Sequence, residues 1–251
     1  ALIDLIKKEG DWVDVSETRL ELESVFIQAV VIGSVTYSDS SRVVKVLTKE
    51  TGVIPIWVRT GKKSKKALWH PLSVVELSGF TRKKSGGLAN FKEASRCLPA
   101  NNLLNDAKRS SVAFFIAEVL DKSLEDEVPL PEVFNLMIDI INLIEVETSV
   151  SNLHIFFMSR LVDALGLMPE EYDRINMGAV NSLNLDTGEW SEINISLSAK
   201  DHYLNIKLAS LLMAISGMNF DQLQGVWLTK SDKKELLLGM VMFVQLHHSG
   251  L

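Results

Sequence analysis

Apolar and polar residues alternate with a period of two along residues 25–97, in short runs rich in Val, Ile and aromatic side chains. Such runs are typical of β-strands, and turns rich in Gly or Ser separate five of them. Five strands in a segment this short predict a small β-barrel.

After Pro99 the apolar period changes to 3.6, which predicts helices up to the end of the chain. One apolar stripe marks a helix that packs on a core, and its members are Val112, Phe115, Ile116, Val119 and Leu120. Further helices are predicted at about 132–146 after Pro131, at 151–165 capped by Ser151, at 199–216, and at 231–248 capped by Ser231. A brief hairpin turns at Asp186, Thr187 and Gly188.

These patterns predict an α+β multidomain chain, in which a five-stranded barrel precedes an all-α helical domain with a small hairpin. We place the barrel at 25–98 and the helical domain at 99–251. Residues 1–24 form an atypical N-terminal extension.

Composition removes several classes of protein from consideration. The single cysteine, Cys97, cannot form an internal disulfide, and no Cys/His cluster has the spacing of a zinc site. The longest apolar run, 236–244, is far shorter than the roughly 20 residues of a membrane span. The N-terminal residues do not resemble a secretory signal. We expect a cytoplasmic protein without a metal or other cofactor.

Catalytic constellations require side chains that can converge, and none stands out in this chain. His154 lies in an apolar helix, where a structural imidazole is the simpler interpretation. Adjacent His247 and His248 do not face each other on a helix, so they make a poor metal pair. The Gly86-Gly87 pair lies between strands and lacks the strand-to-helix geometry of a phosphate loop. We therefore predict that the protein is not an enzyme.

The formal net charge of -6 hides a strong asymmetry along the chain. Residues 26–97 carry 13 Lys/Arg against four acidic residues, whereas residues 98–251 carry 10 against 21. A basic barrel beside an acidic domain suggests a nucleic-acid surface, although a solvated face of lysine tips gives the same count.

Two lysine-rich turns and one aromatic residue give this surface its chemistry. Point charges on flexible stems bind phosphates without reading base edges, and the residues that supply them are Lys62, Lys63, Lys65 and Lys66 in one turn and Arg82, Lys83 and Lys84 in the next. On the third strand Trp57 and Arg59 share the outer face, so they are able to stack on bases; equally, Trp57 could cover a neighbouring domain. Pro55 cannot donate a ladder hydrogen bond, which predicts an edge strand or a bulge.

In the order in which they occur, several segments resemble the RecO family of bacterial recombination mediators, and most closely its Bacteroidetes-type members. They cover roughly residues 25–248 and include TYSDSSRVVKVLTKETG, GKKSKK, ALWHPLSVVELSGF, FKEASRCLPANNLLNDAKRSSVAFFIAEVLDKSL, SNLHIFFMSRLVDALGLMP, the DTGEW hairpin and SDKKELLLGMVMFVQLHH. Many family members bind zinc through four cysteines in the helical domain, and this chain has none there, so no zinc is expected.

The resemblance implies an N-terminal OB-fold that binds single- and double-stranded DNA, followed by a helical domain. It also implies annealing of complementary strands, contact with the acidic C-terminal tail of single-stranded-DNA-binding protein, and loading of RecA together with RecR, in the cytoplasm at the nucleoid. The alternative is a protein adaptor of the repair machinery with little DNA affinity of its own.

The resemblance maps DNA binding onto the basic surface of the barrel, which here is Arg42, Lys45, Trp57, Arg59 and the two lysine-rich turns. An acidic and aromatic tail would suit an apolar cleft flanked by cations in the helical domain. The cations available for it are Arg160, Lys207, Lys233 and Lys234.

Overall fold

The computed structural model describes residues 26–59, 66–81, 88–169, 182–191 and 202–248. Its N-terminal part is a five-stranded antiparallel sheet with the strand order β3-β2-β1-β4-β5. The strands are β1 Ile27–Ser38, β2 Ser41–Thr48, β3 Gly52–Arg59, β4 Val74–Ser78 and β5 Glu93–Arg96. A 3₁₀ turn, Lys66–Trp69, precedes β4.

The sheet curls toward a barrel, but among the residues described no continuous ladder closes it. Ala89, just before β5, donates a 2.9 Å hydrogen bond to the Pro55 carbonyl and accepts one of 3.0 Å from the Trp57 amide. These bonds link the two edges of the sheet. The five-stranded antiparallel sheet confirms the predicted fold class of this part and is consistent with an OB-fold, and Pro55 lies on the edge strand β3, as predicted.

The helical part confirms the second half of the predicted fold class. Its helices are α1 Asn101–Asn105, α2 Ala107–Ser123, α3 Pro131–Val146, α4 Leu153–Ala164, α5 Ile206–Ser216, α6 Phe220–Gln224 and α7 Lys230–His247. A small sheet of order β7-β6-β8 contains β6 Ser182–Asn184, β7 Trp190–Ser191 and β8 Tyr203–Asn205. None of the helices within the described ranges is long and apolar enough to cross a membrane.

Three helix starts differ from the prediction. α4 begins at Leu153, with Asn152 and not Ser151 at the N-cap position, and no side chain caps it. At the other two starts, a residue other than the predicted one caps the helix. α5 begins only at Ile206, since Asn205 accepts a hydrogen bond from the Leu208 amide and the preceding residues pair with β6. α7 is capped by Thr229, whose side chain accepts from the Asp232 amide. Ser231, the predicted cap, donates instead to Glu235.

Both faces of the curled sheet are buried over part of its length, in two separate cores. Ala29 and Val31 point into the barrel, where they meet the apolar residues of β2 and β3. Val30 and Ile32 point the other way and join the core of the helical part. Because this core spans the two parts of the chain, the boundary at residue 98 remains a prediction.

α4 is the central helix of this second core. Its residues are buried almost all round, which is why its sequence is apolar on every face, and Phe157 is fully enclosed. Full burial of a side chain of this size contributes about 1.5–3 kcal/mol. His154 lies at the start of this helix, edge-on to Phe115 at a centroid distance of 6.3 Å.

We expect the stability of the protein to fall as the pH is lowered below about 6.5, in part because of His154. Burial, together with the positive charge of Lys233, lowers the pKa of His154 below its ordinary 6.5. A lowered pKa in the fold means that the unfolded chain binds the proton more readily. The contribution is therefore complete above about pH 6.5 and is lost as the pH falls toward the folded pKa.

Thermal unfolding midpoints recorded across this range for the parent, His154→Phe and Lys233→Gln measure the effect. We expect His154→Phe to flatten the pH dependence, and Lys233→Gln to flatten it partly, because that variant removes only the repelling charge. An equally steep dependence in His154→Phe would show that other groups cause it.

Candidate nucleic-acid interface

One end of the outer sheet face extends beyond the helical part. Here Val35, Val43 and Trp57 lie directly across from one another on β1, β2 and β3. Side chains in register on neighbouring strands share a face of the sheet. Val35 is 72% exposed and Tyr37 is 71% exposed. The three strands therefore present an uncovered apolar and aromatic surface.

Tyr37 and Trp57 form the aromatic centre of this surface. Their ring centroids lie 4.8 Å apart at an interplanar angle of 66°, the edge-to-face arrangement that aromatic pairs favour. Trp57 is half-buried, and among the described residues it is a member of neither hydrophobic core. Ile56 and Val58, its neighbours along β3, point into the barrel, as the alternation predicts.

Sequence reasoning missed Tyr37 because a β-bulge reverses the alternation. Val31 points into the barrel, so a strict period of two would also place Tyr37 there. The register of β1 on β2 shifts between Val31 and Gly33, and this bulge moves the following residues to the opposite face. The position of Tyr37 therefore depends on strand pairing, which the residues of β1 alone do not reveal.

Arg42 and Arg59, both predicted to bind DNA, lie on opposite faces of the sheet. Arg59 is exposed at the end of β3, on the face of Trp57. Arg42 pairs with Val58, so it lies toward the barrel interior and is half-buried. Its Nε is buried and has no hydrogen-bond partner. Arg59 therefore lies on the same face of the sheet as the aromatic pair, whereas Arg42 does not.

Lys45 lies on the outer face of the sheet, where it forms ion pairs with two carboxylates. Its Nζ is 2.9 Å from Oδ1 of Asp121 and 3.9 Å from Oδ1 of Asp126, both from the helical part. Burial alone would lower the pKa of Lys45, but the hydrogen bond and charge of Asp121, with the charge of Asp126, raise it. Lys45 is therefore a firmly protonated member of an ion-pair cluster between sheet and helices.

The two lysine-rich turns are flanked by described residues that lie on or near β3. Lys66 is exposed at the start of the 3₁₀ turn, whereas Lys62, Lys63, Lys65, Arg82, Lys83 and Lys84 lie outside the described residues. The first turn follows Arg59 directly. The second lies between Thr81 and Leu88, and the adjacent Ala89 is hydrogen-bonded to β3 at Pro55 and Trp57. The described residues that flank both basic turns thus lie on or near β3, the strand of Trp57.

The four predicted partner-binding cations lie in more than one place. Arg160 donates to the carbonyls of Ser216 and Met218, where it caps the end of α5, and its guanidinium lies 5.1 Å from the centroid of the Phe156 ring. Lys207 forms a 2.6 Å ion pair with Asp232. Lys233 is half-buried and Lys234 exposed, both near the start of α7.

Each of two shallow grooves in the helical part is lined by one of these cations. The first, of about 450 Å³, has apolar walls from α3, α4 and α6 and includes Arg160 and Asp139. The second, of about 330 Å³, includes Lys207 and Trp227, which is 84% exposed. Trp227 did not figure among the predicted residues, because a lone tryptophan in a loop carries no periodic signal.

Metal-binding side chains do not converge within the part of the chain that the structure describes. No group of three His, Cys, Asp or Glu residues there could hold a metal ion. Burial chiefly raises the pKa of the Cys97 thiol, despite a hydrogen bond with Gln28. A protonated thiol is a poor nucleophile and a poor metal ligand.

Comparison with known proteins matches nearly the whole chain to one family. The family model described as recombination protein O N terminal matches residues 24–98, and that described as recombination protein O C terminal matches residues 104–250. Relatives carry the name DNA repair protein RecO. The protein of Azobacteroides pseudotrichonymphae is 25% identical over 233 residues, 89% of this chain and 92% of the relative.

Two further relatives match over a shorter part of the chain. The protein of Phocaeicola vulgatus is 33% identical over 149 residues, 57% of this chain and 61% of the relative. That of Bacillus velezensis is 24% identical over 143 residues, 57% of this chain and 56% of the relative. Both are also named DNA repair protein RecO. Because the two family models together cover the sheet and the helical part, the chain belongs to the RecO family of DNA repair proteins.

Proposed function

We propose that this protein is a non-catalytic DNA-binding mediator of recombination repair. It binds single- and double-stranded DNA through the barrel, anneals complementary strands, and helps RecR to load RecA on DNA coated with single-stranded-DNA-binding protein. Its place of action is the bacterial nucleoid in the cytoplasm. The observation that carries the proposal is the pair of exposed Tyr37 and half-buried Trp57 on the face of Arg59, the residue after which the first lysine-rich turn begins.

Such a surface suits a single strand in particular. Unpaired bases stack on aromatic rings at about 1–3 kcal/mol per base, whereas the bases of a duplex are already stacked on each other. Arg59 and the lysines supply positive charge for the phosphates without contacting base edges. Binding through these groups tolerates any sequence, which annealing and loading both require.

Replacing Tyr37 and Trp57 with alanine is expected to weaken binding to single-stranded DNA about tenfold or more, and binding to duplex DNA much less. Tenfold corresponds to about 1.4 kcal/mol, the loss of one stacked base. Fluorescence anisotropy with labelled oligothymidylate and a duplex of equal length, at one salt concentration, measures both affinities.

Trp227→Ala is the matched control, because Trp227 is an exposed tryptophan in the helical part. It should leave both DNA affinities unchanged. Equal losses on single strand and duplex would contradict stacking. If the parent chain itself has no measurable affinity at physiological salt, the protein is the adaptor of the alternative hypothesis and not a DNA-binding mediator.

One feature of the helical part supports a partner surface as well. The groove that contains Arg160 has apolar walls and two aromatic rings, Phe156 and Phe220, whose centroids are 5.5 Å apart. Such a groove accepts an aromatic residue, and a guanidinium attracts a carboxylate. We infer that the acidic and aromatic tail of single-stranded-DNA-binding protein, implied by the family resemblance, docks here. The other three cations, Lys207, Lys233 and Lys234, remain proposals for partner contact.

A further inference from the structure

The helical part reaches onto the proposed DNA-binding face of the sheet through two carboxylates. Asp121 comes from the last turn of α2, and Asp126 from the segment that follows this helix. Both approach the Nζ of Lys45, at 2.9 Å and 3.9 Å. Lys45 and Val43 are two residues apart on β2, so they share a face, and Val43 lies directly across from Trp57. The ion-pair cluster therefore borders the aromatic surface.

Backbone contacts hold these carboxylates in place. Asp126 forms a parallel bridge with Val53, and the next residue, Glu127, donates a 2.9 Å hydrogen bond to the Val53 carbonyl. Gly33 has no side chain, and an added Cβ there would lie 3.5 Å from the Asp121 carboxylate. The Asp121 carboxylate therefore lies close to the backbone of β1 at Gly33. The contact is thus built from both parts of the chain.

The ammonium group of a lysine between two carboxylates is surrounded by anionic oxygens, as it is when it binds the phosphates of a DNA strand. Carboxylates and phosphates compete for it, since each offers anionic oxygens at hydrogen-bond distance. The cluster is partly open to solvent: the side chains of Lys45, Asp121 and Asp126 are 37%, 29% and 53% exposed, although Oδ1 of Asp121 itself is buried. Partly exposed ion pairs are screened by salt, so a polyanion that reaches Lys45 is able to compete with them.

We propose that Asp121 and Asp126 compete with DNA phosphates for Lys45. In the free protein the two carboxylates bind Lys45, and this lowers the affinity of the protein for DNA. A bound strand exchanges its phosphate for the two carboxylates, and Lys45 then joins the binding surface. The inference rests on the proposed DNA binding of the barrel. A purely structural ion pair would instead affect stability and leave DNA affinity unchanged.

The 251-residue chain with Asp121→Asn and Asp126→Asn tests this proposal. Its affinity for single-stranded oligothymidylate at low salt should rise about three- to tenfold, and its salt slope should steepen by about 0.7, the value for one added phosphate contact. The same double substitution in a Lys45→Gln background should give no more than the control gain.

The control is Glu118→Gln with Asp163→Asn, which makes the same change in net charge at exposed helix positions. A gain no larger than that of this control, or a gain that persists with Lys45→Gln, would overturn the proposal. If circular dichroism shows that the double variant is unfolded, the single variant Asp126→Asn replaces it in the test. This variant keeps the shorter Lys45–Asp121 ion pair, so we expect a smaller gain in DNA affinity that again depends on Lys45. Failure of the parent and every variant to bind DNA would instead refute the proposed function.

Discussion

Replacement of Lys62, Lys63, Lys65 and Lys66 together by alanine is expected to weaken binding to single-stranded DNA roughly 100-fold at about 0.1 M salt. Each lysine that neutralises a phosphate releases counterions, and for single strands the slope of log affinity against log salt changes by about 0.7 per contact. Loss of four contacts should therefore flatten the slope by about 3. This turn follows Arg59, the last residue of β3, which lies on the same face of the sheet as Trp57.

The measurement is a series of anisotropy titrations between low and physiological salt. A matched control replaces four exposed lysines of the helical part, Lys108, Lys122, Lys230 and Lys234, with alanine and so removes the same formal charge. We expect the control to keep most of the affinity and nearly the parental slope. Equal effects of the two quadruple variants would mean that overall charge, and not this turn, governs binding.

The second large effect is expected from Gly52→Ala, which should lower the free energy of unfolding by about 3 kcal/mol or more. Gly52 begins β3 with a φ of +77°, a conformation that disfavours any side chain. A Cβ at this position would also lie 1.9 Å from the Val128 carbonyl oxygen. The backbone that follows α2 would have to move, and with it the contact between sheet and helices.

Gly166→Ala separates the two causes. Gly166 has a similar φ of +70°, but an added Cβ there meets nothing within 4 Å. It should cost only about 1–2 kcal/mol, the strain of the left-handed conformation. Urea unfolding of the parent and both variants measures the difference. If both variants lose the same free energy of unfolding, the backbone around Val128 moves with little loss of stability when a Cβ is added at Gly52.

The segment after α2 packs on β3 through Gly52 and Val53, and it also brings Asp126 to Lys45. In addition, the side chains of Val30 and Ile32 on β1 belong to the core of the helical part. The sheet is therefore held to the helices by apolar burial, by backbone hydrogen bonds and by an ion-pair cluster, and the cluster is the part most exposed to solvent.

Several features were predictable because they depend on neighbours in the chain. The alternation of β3 correctly placed Ile56 inside and Trp57 outside, and the missing N–H of Pro55 correctly indicated an edge strand. Pro131 begins α3 as its fixed φ predicts. The caps were less predictable, because Ser231 and Thr229 are both able to cap α7 and local composition does not choose between them.

By itself, the sequence determined the class of each segment and the uneven distribution of charge, because periodicity and residue counts are local properties of the chain. Tertiary structure alone decided which side chains meet. A bulge in β1 moves Tyr37 to the face of Trp57, and packing across the sheet brings Asp121 to Lys45 from 76 positions further along the chain. Strand register and long-range packing set these contacts, since both are fixed only when distant segments bury their apolar faces together.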